Sequence, residues 1–190
     1  MTTSADIASV VLGIEPVDDL ERHHRDDALA WLRSTDDVFR RVPPRTPPKH
    51  LVAYVVLRDE ADGSILLVDH RQSGLWLPAG GHVEPGEDPA DAAQREAVEE
   101  LGVSAPFVDP RRSPTFITVT RTVGRPEDRH VDVSLWYVLC GSRDDALTID
   151  ERELAGARWW KQGELAAADP GRFDPHLGRL VAKAGPPARA

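Results

Sequence analysis

The sequence lacks the features typical of secreted or membrane-bound proteins. Only one of its 190 residues, Cys140, is a cysteine, so no disulfide can form within the chain, and a reducing cytoplasm is the simplest setting. No apolar stretch approaches the ~20 residues that a membrane-spanning helix needs. The apolar patch near the N-terminus follows no basic residues, so we expect no signal peptide. These absences predict a soluble, cytoplasmic protein.

Positive charge is also in short supply. The chain has 23 lysines and arginines against 32 aspartates and glutamates, and its net charge is −9. Binding to a nucleic-acid backbone depends on basic side chains that neutralise phosphates, so we expect no polynucleotide partner. A small phosphorylated ligand is still compatible with this charge if metal ions lie between the like charges.

The apolar pattern predicts an N-terminal helical appendage followed by one main domain. A helix is expected from Asp18 to Arg41, and the proline-rich run at 42–48 cannot continue it. We therefore assign residues 1–48 to the appendage and residues 49–185 to the main domain. Packing of the appendage against the main domain is the simplest interpretation. The alternatives are a dimerisation arm, which would make the protein a homodimer, and a flap over the functional site.

The main domain is expected to mix strands and helices in an α+β arrangement. Strands are expected at residues 51–57, 65–68, 115–123, 131–139 and 157–160, and short helices at 163–168 and 176–183. One longer helix, at 89–101, is marked at both ends. Asp88 suits the N-cap, Pro89 the first helical position and Gly102 the position just past the end.

Three carboxylates lie on one face of this helix. Because successive helical residues are ~100° apart, Glu96, Glu99 and Glu100 fall within an arc of about 100°. Like charges so close repel one another, but a hard cation such as Mg²⁺, which prefers oxygen ligands, turns the same cluster into a binding site. A solvated acidic face is the alternative. That alternative does not explain the spacing of the glycines and charged residues around the cluster.

The sequence around these glutamates resembles the Nudix box, whose pattern is G-x5-E-x7-R-E-U-x-E-E-x-G-U, where U is aliphatic. The glycine and charged positions are all filled, by Gly81, Glu87, Arg95, Glu96, Glu99, Glu100 and Gly102. Ala97 fills the first aliphatic position and is smaller than the usual residue. The preceding hairpin, Gly80 and the segment 158–160 extend the resemblance over about residues 50 to 170, which leaves the appendage outside it.

The resemblance implies the Nudix fold, a mixed β-sheet sandwiched between helices (α/β/α), and a divalent metal, Mg²⁺ or alternatively Mn²⁺. By similarity, the metal ligands are Glu96, Glu99, Glu100, Glu87 and the backbone carbonyl of Gly80. Glu99 and Glu100 are the principal ligands in this interpretation. Glu87 acts either as a further ligand or through a water on the metal.

The resemblance also implies catalytic roles and a reaction class. Glu96 is a metal ligand or the general base that activates water, Arg95 orients Glu96 through a charge-assisted hydrogen bond, and Glu99 completes the catalytic group. The expected reaction cleaves a nucleoside diphosphate linked to another moiety. For a nucleoside triphosphate, the products are the nucleoside monophosphate and pyrophosphate.

The sequence narrows the range of candidate substrates only by elimination. Signatures outside the box that mark NADH pyrophosphatases, coenzyme A hydrolases and dinucleoside polyphosphate hydrolases are missing, and Thr118 stands where ADP-ribose hydrolases often carry proline. A MutT-type enzyme acting on nucleoside triphosphates, oxidised ones included, remains. ADP-ribose, nucleotide sugars and dinucleotides stay open as substrates, as does a Nudix-fold sensor that binds a nucleotide without turnover. An isopentenyl-diphosphate isomerase is disfavoured because Cys140 lies far from the box.

Several residues outside the box are candidates for binding substrate. They are Tyr54, Arg71, Trp76, Asp132, Trp136 and Glu153. The aromatic rings would stack on a base, although a core position is the commoner role for each. Arg71 has the forked donors that suit phosphate. Asp132 and Glu153 are candidates for an additional carboxylate in the site, and His130 should share a strand face with Asp132.

Overall fold

The computed structural model describes residues 1–43, 45–123 and 125–185, so that Pro44 of the predicted proline-rich run lies outside it. The strands are β1 (Lys49–Asp59), β2 (Ile65–His70), β3 (Leu75–Leu77), β4 (Ala79–His82), β5 (Phe116–Arg121), β6 (Val131–Gly141) and β7 (Leu154–Trp160). The helices are α1 (Ser4–Leu12), α2 (Asp19–Ser34), α3 (Pro89–Leu101), α4 (Gln162–Ala167) and α5 (Leu177–Ala184). The strands and helices expected in the main domain are present, with ends shifted by up to three residues.

All seven strands join one mixed sheet. Five follow the order β3-β2-β1-β6-β5, while β4 pairs with β1 and β7 pairs with β2. The long strands β1 and β6 run parallel along their whole length, from Lys49 beside Val131 to Asp59 beside Gly141. The other pairings are antiparallel. The predicted α+β class with a mixed sheet is confirmed.

Buried side chains alternate between the two faces of the sheet. On β1, Leu51, Ala53 and Val55 share a core with the helices α1, α2 and α3, whereas Val56 belongs to a second core with Trp136 and helix α5. Successive side chains of a strand point to opposite faces, so helices cover both faces, which confirms the predicted α/β/α sandwich. In the described ranges no helix is long and apolar enough to span a membrane.

Helix α3 begins and ends where its sequence indicates. The Asp88 carboxylate accepts a hydrogen bond from the N–H of Ala90 at 2.8 Å, which satisfies one of the donors left unpaired at a helix start. Gly102 ends the helix with φ = 70°, a left-handed conformation that glycine adopts without steric cost. These caps fix the rotation and register of the face that carries the carboxylates.

The N-terminal helices differ from the prediction in two respects. Helix α1 was not predicted; its start is defined by Thr3 and Asp6, each of which hydrogen-bonds the backbone N–H of the other. The prediction that the next helix reaches Arg41 is wrong, because α2 ends at Ser34 and Thr35 adopts an extended conformation. The chain then turns inward and buries Val38 in the core.

The appendage packs against the main domain. Ile7, Val11 and Leu29 belong to the same core as the sheet residues. In addition, the fully buried Glu21 accepts a hydrogen bond from Nζ of Lys183 on α5 at 2.6 Å. This placement agrees with the simplest interpretation of residues 1–48, and it brings the segment between α2 and β1 close to the site described next.

Candidate functional site

A cavity of about 730 Å³ opens beside residues 80–82 of β4 and the carboxylate face of α3. Its wall combines acidic and basic side chains from distant parts of the chain. The acidic ones are Glu84, Glu96, Glu99, Glu100 and Glu153, and the basic ones include Arg40, Arg41, Arg71, Arg95 and Arg152. The cavity therefore offers oxygen ligands for a cation next to guanidinium groups that suit anionic oxygens.

Arg95 connects the charged residues of the box. Its guanidinium donates two hydrogen bonds to the Glu87 carboxylate, one to Oε1 of Glu96 at 2.7 Å, one to Oε2 of Glu99 at 3.1 Å and one to the carbonyl of His82 at 3.0 Å. The hydrogen bond expected between Arg95 and Glu96 is thus present. Because the planar fork engages several acceptors at once, it fixes their relative positions in a way that a lysine could not.

Two glycines let the backbone approach the carboxylates closely. A Cβ on Gly81 would lie 2.4 Å from Oε1 of Glu96, so only glycine leaves room for this carboxylate. The N–H of Gly80 donates a hydrogen bond to Oε2 of Glu100 at 3.0 Å. Gly80 itself has φ = 143° and packs directly on β1. The Gly-Gly pair therefore forms one wall of the carboxylate cluster.

Two carboxylates of the cluster are buried where ionisation is disfavoured. Burial raises the pKa of Glu100 to about 8, against the hydrogen bond from Gly80, and the charges of Glu96 and Glu153 raise it further. Burial also raises the pKa of Glu96, against the pull of Arg95. An additional cation would be stabilised here. A donor set made only of oxygens fits a hard divalent ion such as Mg²⁺.

The candidate residues outside the box fall into two groups. Arg71 and Glu153 line the cavity, and Nε of Arg71 is anchored by the carbonyls of Glu151 and Leu154. Asp132 does not line the cavity and clusters instead with three histidines, of which His82 does line it. His130, directly before β6, and Asp132 lie on the same side of the sheet, as their alternation predicts, with Nε2 and Oδ1 3.3 Å apart.

The aromatic candidates belong to the second core, on the opposite face of the sheet from α3. Trp136 is 0% exposed, and its ring N–H donates to Oγ1 of Thr118. The Tyr54 ring packs edge-on against Trp136, and the half-buried Trp76 packs against Trp160. Trp136 therefore offers no open face to a base in this structure. Of the two roles considered for it, base stacking and core packing, its position corresponds to core packing.

Sequence reasoning missed the contribution of the appendage to this cavity. Arg40 and Arg41 lie on its wall together with Arg152. The early end of α2 directs Arg40 into the cavity. Burial there lowers the pKa of Arg40, while the negative charges of Asp132, Glu96 and Glu153 act in the opposite direction and raise it. The sequence carried no signal for this position, because the expected helix would have continued through it.

Comparisons with known proteins agree with the fold and the box. Residues 48–183 match the family model of the NUDIX domain. A Bacillus subtilis (strain 168) protein assigned as an 8-oxo-dGTP diphosphatase is 43% identical over 116 residues, which cover 60% of this chain and 67% of that protein. CTP pyrophosphohydrolase of Escherichia coli (strain K12) is 50% identical over 50 residues, covering 24% of this chain and 37% of the relative.

A solved structure shares the fold at lower sequence identity. The dihydroneopterin triphosphate pyrophosphohydrolase of Escherichia coli superposes with a TM-score of 0.56 at 16% identity, covering 77% of this chain and 96% of that one. Several curated relatives are matched over less than two thirds of their length, down to 18% for an octanoyltransferase of Myxococcus xanthus. The family model nevertheless spans most of the chain and includes the box, and the chain belongs to the Nudix hydrolase family.

Proposed function

We propose that the protein is a metal-dependent pyrophosphohydrolase that cleaves a nucleoside diphosphate linked to another moiety, with nucleoside triphosphates, oxidised ones included, as the preferred class. The observation that supports this most strongly is the network around Arg95. One guanidinium orders three box glutamates and the carbonyl of His82 at the edge of a charged cavity. A protein that only binds nucleotides has no need for such an arrangement.

The metal would be held by the box carboxylates. Glu99 and Glu100 are the principal ligands in this proposal, with Glu96, Glu87 and the carbonyl of Gly80 as further candidates. We favour Mg²⁺, with Mn²⁺ as the alternative, because the donors are oxygens. When bound, the ion supplies neutralisation of the phosphate charge and polarises the phosphoryl group.

We assign Glu96 the role of general base. Its Oε1 is held by Arg95 at 2.7 Å, so the second oxygen, Oε2, is the one we assign to the proton of the attacking water. As the water oxygen bonds to phosphorus, the bond to the leaving phosphate oxygen breaks and Glu96 takes the proton. Burial raises the pKa of Glu96, which makes it a stronger base than an exposed glutamate. A nucleoside triphosphate would give the monophosphate and pyrophosphate.

The arginines of the cavity would receive the substrate phosphates. Arg41 and Arg152 already pair with Asp37 and Asp150, respectively. Arg40 makes no hydrogen bond to another residue in the described ranges and lies within reach of the charges of Glu96 and Glu153. We therefore assign Arg40 the first phosphate contact and Arg71, whose Nε is anchored by two carbonyls, the second.

A substrate panel tests the proposal. The purified protein is incubated with nucleoside triphosphates, 8-oxo nucleotides, nucleotide sugars, ADP-ribose and dinucleotides, with Mg²⁺, Mn²⁺ or EDTA, and the products are separated by chromatography. We expect triphosphates to give monophosphate and pyrophosphate only with metal. Preference for another class would correct the substrate. Tight binding without any product would overturn the enzyme assignment in favour of a nucleotide sensor. A cytoplasmic setting, where such nucleotides occur, belongs to the same proposal.

Replacement of Arg95 by lysine is expected to lower kcat/KM about 10- to 100-fold, as is usual when a group that orients metal ligands is lost. Lysine keeps the charge but cannot span Glu87, Glu96 and Glu99 together. The concentration of Mg²⁺ needed for half-maximal rate should rise as well. Arg112→Lys is the matched control, since Arg112 pairs with Asp91 on the outer side of the same helix. An unchanged rate in Arg95→Lys would contradict the orienting role.

A further inference from the structure

A second cluster of metal-ligating side chains borders the carboxylate site, and one of its members, His82, belongs to the box and lines the cavity. Potential ligand atoms of His50, His82, His130 and Asp132 all fall within 4.8 Å of one another. The residues come from the same end of three adjacent strands. His50 pairs with Asp132 across β1 and β6, and His82 lies opposite Val52 on β4. The fold therefore assembles this cluster from segments far apart in sequence.

The hydrogen bonds of two histidines define which ring atom faces the centre. Nδ1 of His50 lies 2.8 Å from the carbonyl of Pro47, and Nδ1 of His130 lies 2.8 Å from the carbonyl of Asp128. A carbonyl can only accept, so both Nδ1 atoms carry the proton. In a neutral imidazole, Nε2 then presents its lone pair to the centre of the cluster. This is the arrangement in which histidines bind metals, with the outer nitrogen bonded to a backbone carbonyl.

The inner atoms lack partners. Among the described residues, Nε2 of His50, Nε2 of His82 and Oδ1 of Asp132 are buried and receive or donate no hydrogen bond, and His50 is 0% exposed. Unpaired buried polar atoms are costly, and native proteins rarely leave several together. Lone pairs of imidazoles and of a carboxylate that face one another also repel. A bound cation or a shared proton between them would relieve this repulsion.

Two distances within the cluster match those expected around a tetrahedral metal ion. Nε2 of His50 and Nε2 of His130 lie 3.5 Å and 3.3 Å from Oδ1 of Asp132, which is long for a strong hydrogen bond. Bonds of ~2.0–2.1 Å in a tetrahedron place two ligand atoms about 3.4 Å apart. Three imidazole nitrogens and one carboxylate oxygen are a donor set that Zn²⁺ accepts readily, whereas Mg²⁺ prefers oxygens.

We propose that His50, His82, His130 and Asp132 bind a Zn²⁺ ion at a site distinct from the carboxylate site. Four protein ligands complete the tetrahedron and leave no open position, which is typical of a structural rather than a catalytic zinc. The ion would cross-link β1, β4 and β6. The carbonyl of His82 accepts the hydrogen bond from Arg95 at 3.0 Å. By binding the His82 side chain, the ion would therefore also hold the end of β4 in place against Arg95.

One neighbouring residue, Arg40, disfavours a cation in this cluster. The positive charge of Arg40 acts on Asp132 and on the histidines. Repulsion from this guanidinium weakens cation binding, although Glu96 and Glu153 lie close enough to Arg40 to offset part of its charge. Without zinc, a proton on His130 would take the place of the ion and pair with Asp132. Metal content separates the two cases directly.

The experiment measures zinc bound to the full chain. Protein is equilibrated with Zn²⁺ in excess Mg²⁺, which occupies the carboxylate site, and is then desalted and analysed by elemental mass spectrometry. We expect about one zinc per chain in the wild type, in Glu99→Gln and in the exposed control His23→Asn. The variant His130→Asn should bind at least about 100-fold more weakly. Zinc should raise the Tm of the wild type by about 5 °C or more, and that of His130→Asn much less.

A measurement on the wild-type protein covers the case in which His130→Asn fails to fold. Co²⁺ is loaded in place of Zn²⁺, again with excess Mg²⁺. Tetrahedral Co²⁺ absorbs visible light far more strongly than six-coordinate Co²⁺, so a strong band supports the site. Absence of retained zinc, zinc lost only in Glu99→Gln, or a weak six-coordinate spectrum would each overturn the proposal. None of these readouts uses a nucleotide, so the outcome is independent of the proposed hydrolytic function.

Discussion

The substitution Glu99→Gln is expected to lower turnover by more than about 100-fold while the fold is kept. Glutamine has the shape of glutamate but lacks its charge, and Mg²⁺ binds charged oxygens in preference to neutral ones. The side chain of Glu99 is 57% exposed and lies on the outer part of the cluster. Its replacement should therefore remove a ligand without opening a cavity in the core. Steady-state rates with the preferred nucleotide, measured across a range of Mg²⁺ concentrations, provide the test.

The control for Glu99→Gln is the same change at the exposed Glu15, which lies between α1 and α2 and away from the cavity. Glu15→Gln should retain the wild-type rate, and thermal unfolding of both variants should resemble that of the wild type. If Glu99→Gln turned over substrate at the rate of Glu15→Gln, the box carboxylates could not be the metal ligands that the reaction requires. The proposed function would then fail.

The largest effect on stability is expected at Gly80. A Cβ at this position would lie 2.3 Å from the carbonyl oxygen of Ala53 and 2.9 Å from Cα of Tyr54, both backbone atoms of β1. The residue also has φ = 143°, a conformation that L-amino acids with side chains rarely adopt. Gly80→Ala should therefore lower the free energy of unfolding by about 3 kcal/mol or more, since backbone strain and overpacking add. Urea denaturation measures this loss.

Gly81→Ala is the matched variant, because the two glycines are adjacent and the clashes differ in kind. Its Cβ would meet the carboxylate of Glu96, the far end of a flexible side chain that can move away. We expect a nearly normal fold in Gly81→Ala but a strong loss of activity, since Glu96 is displaced from Arg95. Equal stabilities of the two alanine variants would contradict the packing described here for Gly80.

The box and its helix could be predicted because their determinants are local. The N-cap of Asp88, the proline that follows it and Gly102 mark both helix ends, and helical geometry alone places Glu96 beside Glu100 on one face. The structure agrees with these expectations. The strands β1, β2, β5, β6 and β7 were also visible in the sequence, since apolar runs and alternation depend on a few neighbouring residues. The short strands β3 and β4 were not predicted.

The end of α2 could not be predicted, because tertiary contacts decide it. Residues 35–41 contain no proline or glycine to stop a helix. Instead, Oγ of Ser4 hydrogen-bonds Asp36, and Val38 enters the core beside β1. These contacts outweigh the weak local preference for continuing the helix. The location of Arg40 in the cavity follows from them and was equally invisible in the sequence.

The histidine cluster could not be predicted as a whole either, because it also depends on tertiary contacts. Only the alternation of His130 and Asp132 could be seen, and it correctly placed both on the same side of the sheet. That His50 lies beside them depends on the parallel pairing of β1 with β6, and His82 joins through β4. Pairing between distant strands leaves no periodic pattern in the sequence, so neither histidine could be assigned to the cluster beforehand.

The parallel pairing of β1 with β6 also has a consequence during synthesis. The ribosome makes β1 long before its partner strand, because Lys49 pairs with Val131 and Asp59 pairs with Gly141. Contacts of such high sequence separation slow folding. Until β6 emerges, the long apolar strand β1 keeps one edge open, which favours aggregation or capture by a chaperone. Truncation before β6 is therefore expected to promote aggregation of the chain.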